Sequence, residues 1–312
     1  MQLKNKIIKK KIKEAIKEDL PSGDVTSDLL EKKSQNISAL IISREAGIVC
    51  GTEVAAAVFK ELSGKVKIKV EKNEGDTIRI NDTLMSLEGP ADAILAGERI
   101  ALNFLGHMSG VATLTSKFVK KAKAVNGAVE IYDTRKTLPG LRDFEKYAVT
   151  VGGGKNHRMN LSEQVLLKEN HIALDGKGIG DLTARAAGSI KKKMLLEVEV
   201  ESLAQLKDVL GAGAPQGHFL RGAPQGHFLR GAPQGHFLRG ADIIMLDNFE
   251  IDDIKEARKM ARLMDGDVKL EVSGGITLNN IAAYASTGVD RISAGMLTSS
   301  VPALDYSLLM EL

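Results

Sequence analysis

The chain has no tryptophan, few other aromatic residues and a single cysteine. Aromatic residues make up 4% of its 312 positions, which argues against a surface that binds nucleic acid by stacking bases. Because Cys50 is alone, it can form no intrachain disulfide and no cysteine-based zinc site. We therefore expect a reducing compartment, the cytoplasm.

The sequence also lacks the roughly 18-residue apolar run that a membrane-spanning helix needs. Its start, MQLKNKIIKKKIKEAIKEDL, has no uninterrupted apolar centre of the kind that signal peptides carry. Ile8, Ile12, Ile16 and Leu20 recur at every fourth position among lysines, a pattern shared by membrane-surface helices and ordinary soluble helices. We expect a helix that docks on a protein core, with neither membrane nor nucleic acid as a partner.

Two common catalytic signatures are missing as well. The sequence contains no GxxxxGK[ST] phosphate-binding motif, and it suggests no Ser-His-Asp or Cys-His nucleophile. Catalysis by charge and positioning is the expectation that remains.

Residues 213–239 repeat the nine-residue unit GAPQGHFLR three times without a difference. Each copy carries one arginine and no acid, so the formal charge of +3 belongs to the repeat. Stacked structural repeats need units of about 20 residues or more, each burying a face, and this unit offers only Phe and Leu. We expect a passive insertion in a helix-to-strand loop; a peptide-like binding loop is the alternative.

The order of apolar patterns predicts two kinds of α/β structure. Between residues 35 and 94, two β-rich stretches flank the helical segment TEVAAAVFKELSG, and residues 93–125 have a helical period with a possible break at Gly110. From residue 129 onward, strand, short loop and helix alternate, which indicates parallel strands covered by helices. Polar residues or glycines end these strands: Asp133 with Arg135, Glu199, Asp247, Ser273 with Gly274 and Gly275, and Gly295. A barrel would gather them at one mouth, whereas an open sheet would spread them along an edge.

Cationic residues concentrate in residues 133–158, with Lys168 close behind. Arginine matches the planar shape of an oxyanion, and Gly152–Gly154 could bring backbone N–H groups close to one, so a multiply anionic ligand is expected. A solvated basic surface is the alternative for the cluster, and it is the preferred interpretation for Arg142 and Lys146.

Phosphate binding is expected where Ser273-Gly274-Gly275 leads into a helix near Thr277 and where Gly295 ends the next strand, although such glycines also make plain turns. Glu199 and Asp247 would hold a divalent ion such as Mg²⁺ or form an ion-pair network with the lysines. Glu197 and Glu201 share the strand face of Glu199, so their roles stay open.

The sequence resembles the quinolinate phosphoribosyltransferase family. The matching motifs run in order along almost the whole chain outside the repeat: EDLPSGDVTSDLL, ERIALNFLGHMSGVATLT, IYDTRKTLPGLR, KYAVTVGGGKNHR, LLKENHI, LEVEVES, IIMLDNF, EVSGGI and ISAG. The resemblance implies an N-terminal α/β sandwich domain at residues 1–112, with a C-terminal segment, 298–312, returning to it as a last helix. It also implies an incomplete (β/α) barrel at residues 113–297, interrupted by the repeat.

By this resemblance the chain is a Mg²⁺-dependent enzyme of NAD biosynthesis that converts quinolinate and phosphoribosyl pyrophosphate to nicotinate mononucleotide, pyrophosphate and CO₂. Arg135, His157, Arg158 and Lys168 would hold quinolinate, and Arg99 would reach in from the partner subunit of a homodimer or larger assembly. Lys136, Ser273, Gly274, Gly275 and Gly295 would face the ribose and its phosphates. Glu199 and Asp247 would meet the ribose hydroxyls and the metal. Lys136, Lys168, Glu199 and Asp247 are the predicted catalytic residues.

Two other functions remain open. One is a related phosphoribosyltransferase of the kind found beside molybdate transport genes, acting on another heteroaromatic acid; the KENH motif at 168–171 favours quinolinate. The other is a non-catalytic interaction protein that displays the repeat.

Overall fold

A computed structural model describes residues 3–31, 34–190, 194–212, 240–264 and 267–311. The repeat at 213–239, and the interpretations attached to it, lie outside these residues. Contacts divide the chain into two compact units. The first comprises Met1–Lys121, Ile131–His157 and Gly295–Leu312, and the second comprises Ala122–Glu130 and Arg158–Ala294. The domain boundaries expected at 1–112, 113–297 and 298–312 stay a prediction.

The helices in the described residues, in chain order, are α1 Asn5–Asp19, α2 Thr52–Leu62, α3 Ala91–Lys123, α4 Arg142–Val151, α5 Glu169–Asp175, α6 Ile179–Ser189, α7 Leu203–Gly211, α8 Ile251–Met264, α9 Ile281–Ser286 and α10 Met296–Ser299, with one 3-10 turn at Ser27–Leu29. None of the helices in these ranges combines the length and the apolar character needed to cross a membrane.

The strands in the same residues are β1 Asn36–Ser43, β2 Gly47–Ile48, β3 Lys67–Val70, β4 Thr77–Ile78, β5 Thr83–Pro90, β6 Glu130–Tyr132, β7 Val165–Leu167, β8 Leu196–Val200, β9 Ile243–Asp247, β10 Lys269–Ser273, β11 Arg291–Ser293 and β12 Tyr306–Glu311.

The first unit is built on an antiparallel sheet in the order β12-β1-β5-β3. Strands β2 and β4, which lie between these strands in the chain, form a separate antiparallel pair. Helix α1 contacts α2 and buries Ile8 and Ile12, while its lysines stay largely on the solvated side. The lysine-coated segment is therefore a core-docking helix, as predicted from its four-residue apolar spacing.

The long helix α3 runs without interruption through Gly110, where the sequence suggested a break. A β-carbon on Gly110 would lie 2.3 Å from the carbonyl oxygen of Pro302, and one on Gly106 would lie 2.7 Å from that of Leu304. These two glycines, one helical turn apart, let the chain before β12 lie directly on the helix backbone. Close packing, and not a break, explains their position.

The C-terminal tail is a strand and not the last helix that the family resemblance implied. Residues of β12 pair antiparallel with β1, with Leu40 opposite Leu309 and Ser43 opposite Tyr306. The segment YSLLME pairs along its whole length with Ser38–Ser43 of β1, so it covers an edge of that strand that would otherwise be open.

The second unit contains parallel strands in the order β11-β10-β9-β8-β7, and β6 begins at the β11 edge, where the amide of Glu130 donates to Asp290 O at 3.0 Å. Neighbouring strands follow chain order, as in the wall of a (β/α) barrel, whereas the order reverses in a doubly wound sheet. The fold class is α/β, with an antiparallel N-terminal sheet and a parallel barrel-type sheet, as predicted.

Candidate active site

The carboxyl ends of four neighbouring strands in the second unit carry the predicted polar residues. Lys168 follows β7 directly, Glu199 is the penultimate residue of β8, Asp247 ends β9 and Ser273 ends β10. Asp247 and Ser273 are paired in the sheet register, and Glu199 lies opposite Met245, two residues before Asp247. Because parallel strands share a direction, these side chains come together at one sheet edge.

Lys168 and Glu199 form an ion pair at this edge, with Nζ of the lysine donating to Oε2 of the carboxylate. The Glu199 side chain is 6% exposed and that of Lys168 is 40% exposed. Burial raises the pKa of Glu199 above its ordinary value; Lys168 opposes this shift and the nearby charge of Asp247 adds to it. The edge therefore holds two carboxylates with one lysine that remains open to solvent.

The KENH motif fixes the backbone that carries Lys168. Lys168 precedes the first residue of α5, and its amide donates to Nδ1 of His171 at 3.0 Å. The imidazole thus satisfies an N–H at the helix start. His171 is a local positioning residue of Lys168 that the motif alone did not explain.

A tight turn follows β10 at Ser273-Gly274-Gly275. Gly274 has φ +92°, and a β-carbon there would lie 2.2 Å from Oδ1 of Asn248; Gly275 has φ +60°. Asn248, with φ +56°, donates its amide to Ser273 O at 3.0 Å and its side-chain Nδ2 to Asp247 Oδ2 at 2.8 Å. The turns after β9 and β10 therefore hold each other in place.

The helix after this turn begins at Ile281 and not near Thr277 as predicted. Asn280 closes the intervening turn, accepting from the Thr277 amide at 2.7 Å and donating to Gly275 O at 2.9 Å. An asparagine side chain that bonds to nearby backbone groups competes with helix formation, which delays the start.

The three glutamates of β8 and its end are placed differently. Glu197 is fully buried and accepts from Nε2 of Gln164 at 2.6 Å, while Arg158 Nη1 donates to Gln164 O at 2.9 Å. Glu199 meets Lys168, and Glu201 is exposed. Glu199 is therefore paired with a predicted catalytic lysine.

In the first unit, a buried ion pair clamps the backbone of His157. Lys146 of α4 donates to Asp133 and, at 2.9 Å, to His157 O, and Asp133 Oδ1 accepts the His157 amide at 2.9 Å. Asn156 donates to Asp133 Oδ2 at 2.6 Å and to Lys146 O at 2.8 Å. Burial raises the pKa of Asp133, and Lys146 opposes that rise.

The expectation that Lys146 lies on a solvated surface was wrong. Its side chain is 0% exposed, whereas Arg142, one turn earlier, is half-buried and donates from Nε to Thr137 Oγ1 at 3.0 Å. Asp133 at a buried strand end needs a compensating cation, and that requirement is the signal by which Lys146 could have been found.

Gly152–Gly154 do not present their amides to an anion as expected. These N–H groups bond to the carbonyls of Ala148, Thr150 and Val149 at 2.9–3.1 Å and so close the end of α4. A β-carbon on Gly152 would lie 2.4 Å from Ala112 O, so this glycine also permits close packing on α3. The GGG motif is a helix ending at a tight helix contact.

The loop Thr134–Leu138 carries Arg135 and Lys136, which are both exposed. The Lys136 amide donates to Thr134 Oγ1 at 3.0 Å, and Thr298 Oγ1 donates to Lys136 O at 2.7 Å. A β-carbon on Gly295 would lie 2.9 Å from Cδ of Lys136. Gly295 therefore gives space to the lysine stem, and Thr298 was missed by sequence reasoning.

The predicted residues are thus divided between the two units. The first unit brings Lys136 next to Gly295 and holds His157 through Asp133, while Arg99 lies exposed on α3. The second unit brings together Lys168, Glu199, Asp247 and the Ser273–Gly275 turn, with Arg158 bound to Gln164. In the second unit, Glu199 and Asp247 supply the oxygen ligands that suit a hard divalent cation.

Two family models match the chain. The model described as quinolinate phosphoribosyl transferase, N-terminal domain, matches residues 24–109, and that of the C-terminal domain matches residues 111–309.

Relatives and solved structures agree with this match. The chain is 38% identical over 301 residues to the probable nicotinate-nucleotide pyrophosphorylase [carboxylating] of Methanocaldococcus jannaschii, covering 95% of both proteins. It is 36% identical to the protein of that name from Bacillus subtilis, covering 96% of this chain and 92% of the relative. The nicotinate-nucleotide pyrophosphorylase structure from Francisella tularensis superposes with a TM-score of 0.85 at 36% identity, covering 99% of this chain and 98% of that one. On both family models and on these full-length relatives, the chain belongs to the quinolinate phosphoribosyltransferase family.

Proposed function

We propose that the chain is a quinolinate phosphoribosyltransferase that acts in NAD biosynthesis. It transfers the phosphoribosyl group of phosphoribosyl pyrophosphate to the ring nitrogen of quinolinate and releases pyrophosphate and CO₂, giving nicotinate mononucleotide. The observation that carries this proposal is the strand-end group of Lys168, Glu199, Asp247 and the Ser273–Gly275 turn, in a chain whose curated relatives are named for this reaction.

Quinolinate is a dicarboxylate, so basic side chains are the residues expected to bind it. Arg135, His157, Arg158 and Lys168 hold its carboxylates, with Arg99 of the partner subunit completing the set in a homodimer. Arginine offers a planar pair of donors to a carboxylate, and the exposure of Arg99, Arg135 and Lys168 leaves these side chains able to reach a ligand.

Phosphoribosyl pyrophosphate is assigned to Lys136 and to the glycine turns. Lys136 and Gly295, which touch in the first unit, and Ser273, Gly274 and Gly275 of the second unit face its phosphates. Backbone N–H groups at turns with positive φ make concave sites for anions. Glu199 and Asp247 bind the ribose hydroxyls.

The same two carboxylates fit Mg²⁺. Burial is the main cause of the raised pKa of Glu199, and the nearby charge of Asp247 adds to it. A divalent cation between the two carboxylates would offset this repulsion. Glu199 and Asp247 would hold the ion, which when bound neutralises negative charge on the pyrophosphate.

The chemistry needs charge stabilisation and positioning. The bond from the anomeric carbon to pyrophosphate breaks with its electron pair on oxygen, and the lone pair of the ring nitrogen forms the new C–N bond. The resulting pyridinium takes up the electron pair that remains when the carboxylate next to nitrogen departs as CO₂, and a proton replaces it. Lys136 and Lys168 stabilise the anionic groups, and Glu199 and Asp247 stabilise the positive charge on the ribose.

The assay is direct. Purified protein with quinolinate, phosphoribosyl pyrophosphate and Mg²⁺ should give nicotinate mononucleotide and one CO₂ per turnover. Nicotinate is the control acceptor, and product from nicotinate but not from quinolinate would overturn the substrate assignment.

The metal and the assembly each have their own measurement. A chelator should abolish turnover and added Mg²⁺ should restore it. Sedimentation should show a dimer or a larger even assembly, and mixing inactive Arg99→Ala with inactive Lys168→Ala should restore part of the activity if sites are shared. We place the reaction in the cytoplasm, since one buried cysteine suits a reducing compartment.

A further inference from the structure

A fully buried carboxylate of α4 reaches the loop that carries Arg135 and Lys136. Glu145 is 0% exposed, and its Oε2 accepts the backbone amide of Leu138 at 3.1 Å, with Oε1 at 3.4 Å from the same nitrogen. The loop Thr134–Leu138 therefore ends on a charged hydrogen-bond acceptor.

The second partner of this carboxylate comes from α3. Nε2 of His107 lies 3.0 Å from Oε1 of Glu145, and the imidazole is 20% exposed. Around Glu145 on α4, Phe144, Ala148 and Val149 are buried apolar residues. Burial of a carboxylate among such neighbours destabilises the fold unless the carboxylate is hydrogen-bonded. Here its hydrogen bonds to His107 and Leu138 join α4 to α3 and to the loop.

The rest of the loop is held by neutral or half-buried groups. Thr134 and Thr298 bond to the backbone of Lys136, and Arg142 bonds to the side chain of Thr137. Glu145 supplies the anchor at the carboxyl end, two residues beyond Lys136. Without it, the backbone amide of Leu138 would lose the acceptor that ties this end of the loop to α4.

We propose that Glu145, oriented by His107, is a positioning residue that sets the loop carrying Arg135 and Lys136. This inference rests on the proposed function, in which Arg135 meets quinolinate and Lys136 meets phosphoribosyl pyrophosphate. Because a displacement of about 1 Å in a ligand-holding group can cost about 100-fold in rate, a loosened loop weakens the use of both substrates.

The test separates reach from charge. Glu145→Asp keeps the charge but shortens the side chain by one methylene, so its carboxylate no longer reaches the Leu138 amide. Glu145→Gln keeps the reach and one acceptor oxygen but loses the charge. The matched control is Glu74→Asp, because Glu74 likewise accepts backbone amides, those of Gly51 and Thr52 at 2.6–2.9 Å, at the start of α2.

Two readouts are needed for each variant: steady-state KM for both substrates with kcat, and hydrogen exchange of the peptide covering residues 134–141. We expect Glu145→Asp to raise both KM values, to lower kcat/KM by about 10- to 100-fold and to speed exchange in that peptide. Glu145→Gln should stay within about threefold of the unmodified protein, and Glu74→Asp should leave both readouts of the loop unchanged.

Unchanged KM values and unchanged hydrogen exchange in Glu145→Asp would overturn the inference. An equal loss of kcat/KM in Glu145→Gln would also overturn it, because the effect would then come from the charge of the side chain and not from its position. If the unmodified protein makes no nicotinate mononucleotide, the proposed function fails, and the exchange experiment still decides whether Glu145 holds the loop.

Discussion

Lys146 and Asp133 are oppositely charged residues with fully buried side chains, and together they hold both backbone polar groups of His157. A buried ion pair adds little net stability compared with apolar residues, yet loss of one partner leaves an uncompensated charge in the interior. At the residue scale, this pair therefore contributes both to stability and to the placement of His157, a residue proposed to bind quinolinate.

Removing the cation should therefore be costly. We expect Lys146→Met to lower the free energy of unfolding by about 3 to 5 kcal/mol, measured by urea denaturation at pH 8. Lys60→Met, at an exposed position of α2, should change it by less than about 0.5 kcal/mol. A loss in Lys146→Met no larger than in this control would contradict the buried-pair account.

Lys146→Met should lose less of its free energy of unfolding in mild acid than at pH 8. Burial already raises the pKa of Asp133, and loss of Lys146 should raise it further, so the folded state holds a proton that the unfolded state releases. Between the unfolded and folded pKa values, stability then rises as pH falls. The deficit of Lys146→Met relative to the unmodified protein should be smaller at pH 5 than at pH 8, and an equal or larger deficit at pH 5 would argue against it.

At the scale of elements, glycines decide how closely segments approach. A β-carbon on Gly110 of α3 would lie 2.3 Å from Pro302 O, in the segment that leads into β12 and its pairing with β1. Gly188 in α6 has no heavy atom within 4 Å of where its β-carbon would be. These two helical glycines have opposite consequences when replaced.

We expect Gly110→Ala to destabilise the protein and to increase hydrogen exchange in β12, because the added methyl group would lie far inside contact distance of Pro302 O. Gly188→Ala should instead stabilise by up to about 1 kcal/mol, since alanine is the better helix former. Urea denaturation measures the free energy of unfolding of both variants, and mass spectrometry measures hydrogen exchange in β12. Stability retained in Gly110→Ala with unchanged exchange in β12 would show that the tail does not depend on this contact.

The turn after β10 permits a similar comparison. Gly274→Ala meets both a positive φ and Asn248 Oδ1 at 2.2 Å, whereas Gly275→Ala meets a positive φ in open space. We expect Gly275→Ala to cost about 1 to 2 kcal/mol, the penalty of a left-handed residue, and Gly274→Ala to cost more. The free energies of unfolding of the two variants decide this, and the reverse order would disprove the described packing of Asn248 on the turn.

At the scale of the whole molecule, the repeat at residues 213–239 lies outside the motifs on which the family resemblance rests. It follows α7, which ends at Gly211, and precedes β9, which begins at Ile243. A loop lengthened from about four to about thirty residues costs only about 1.5 to 2 kcal/mol of closure entropy. On this cost a passive insertion at residues 213–239 would be tolerated, and that interpretation of the repeat stays a prediction.

Deletion of residues 213–239 should leave kcat/KM within severalfold and raise the free energy of unfolding slightly, by no more than that closure term. Kinetics and urea denaturation of the deletion variant beside the full chain measure both. A large loss of activity on deletion would show that the repeat contributes to function.

Sequence by itself determined the local features of this protein. The alternation of strands β8 to β11 with helices α7 to α9 follows from apolar periodicity, which needs only neighbouring residues. The polar residues Glu199, Asp247 and Ser273 could be placed at strand ends for the same reason. The motifs from DTRKT to KENH indicate the family from sequence alone.

Tertiary structure alone decided which charges are buried and which glycines make contacts. Lys146 and Arg142 lie one turn apart on α4, yet Lys146 is fully buried against Asp133 whereas Arg142 is half-buried. Gly152–Gly154 end a helix where an anion site was expected, and the apolar tail is a strand because β1 offers it an open edge. Each of these outcomes depends on a contact with a residue outside the local segment. The local sequence pattern does not identify that residue, because folding alone brings the two together.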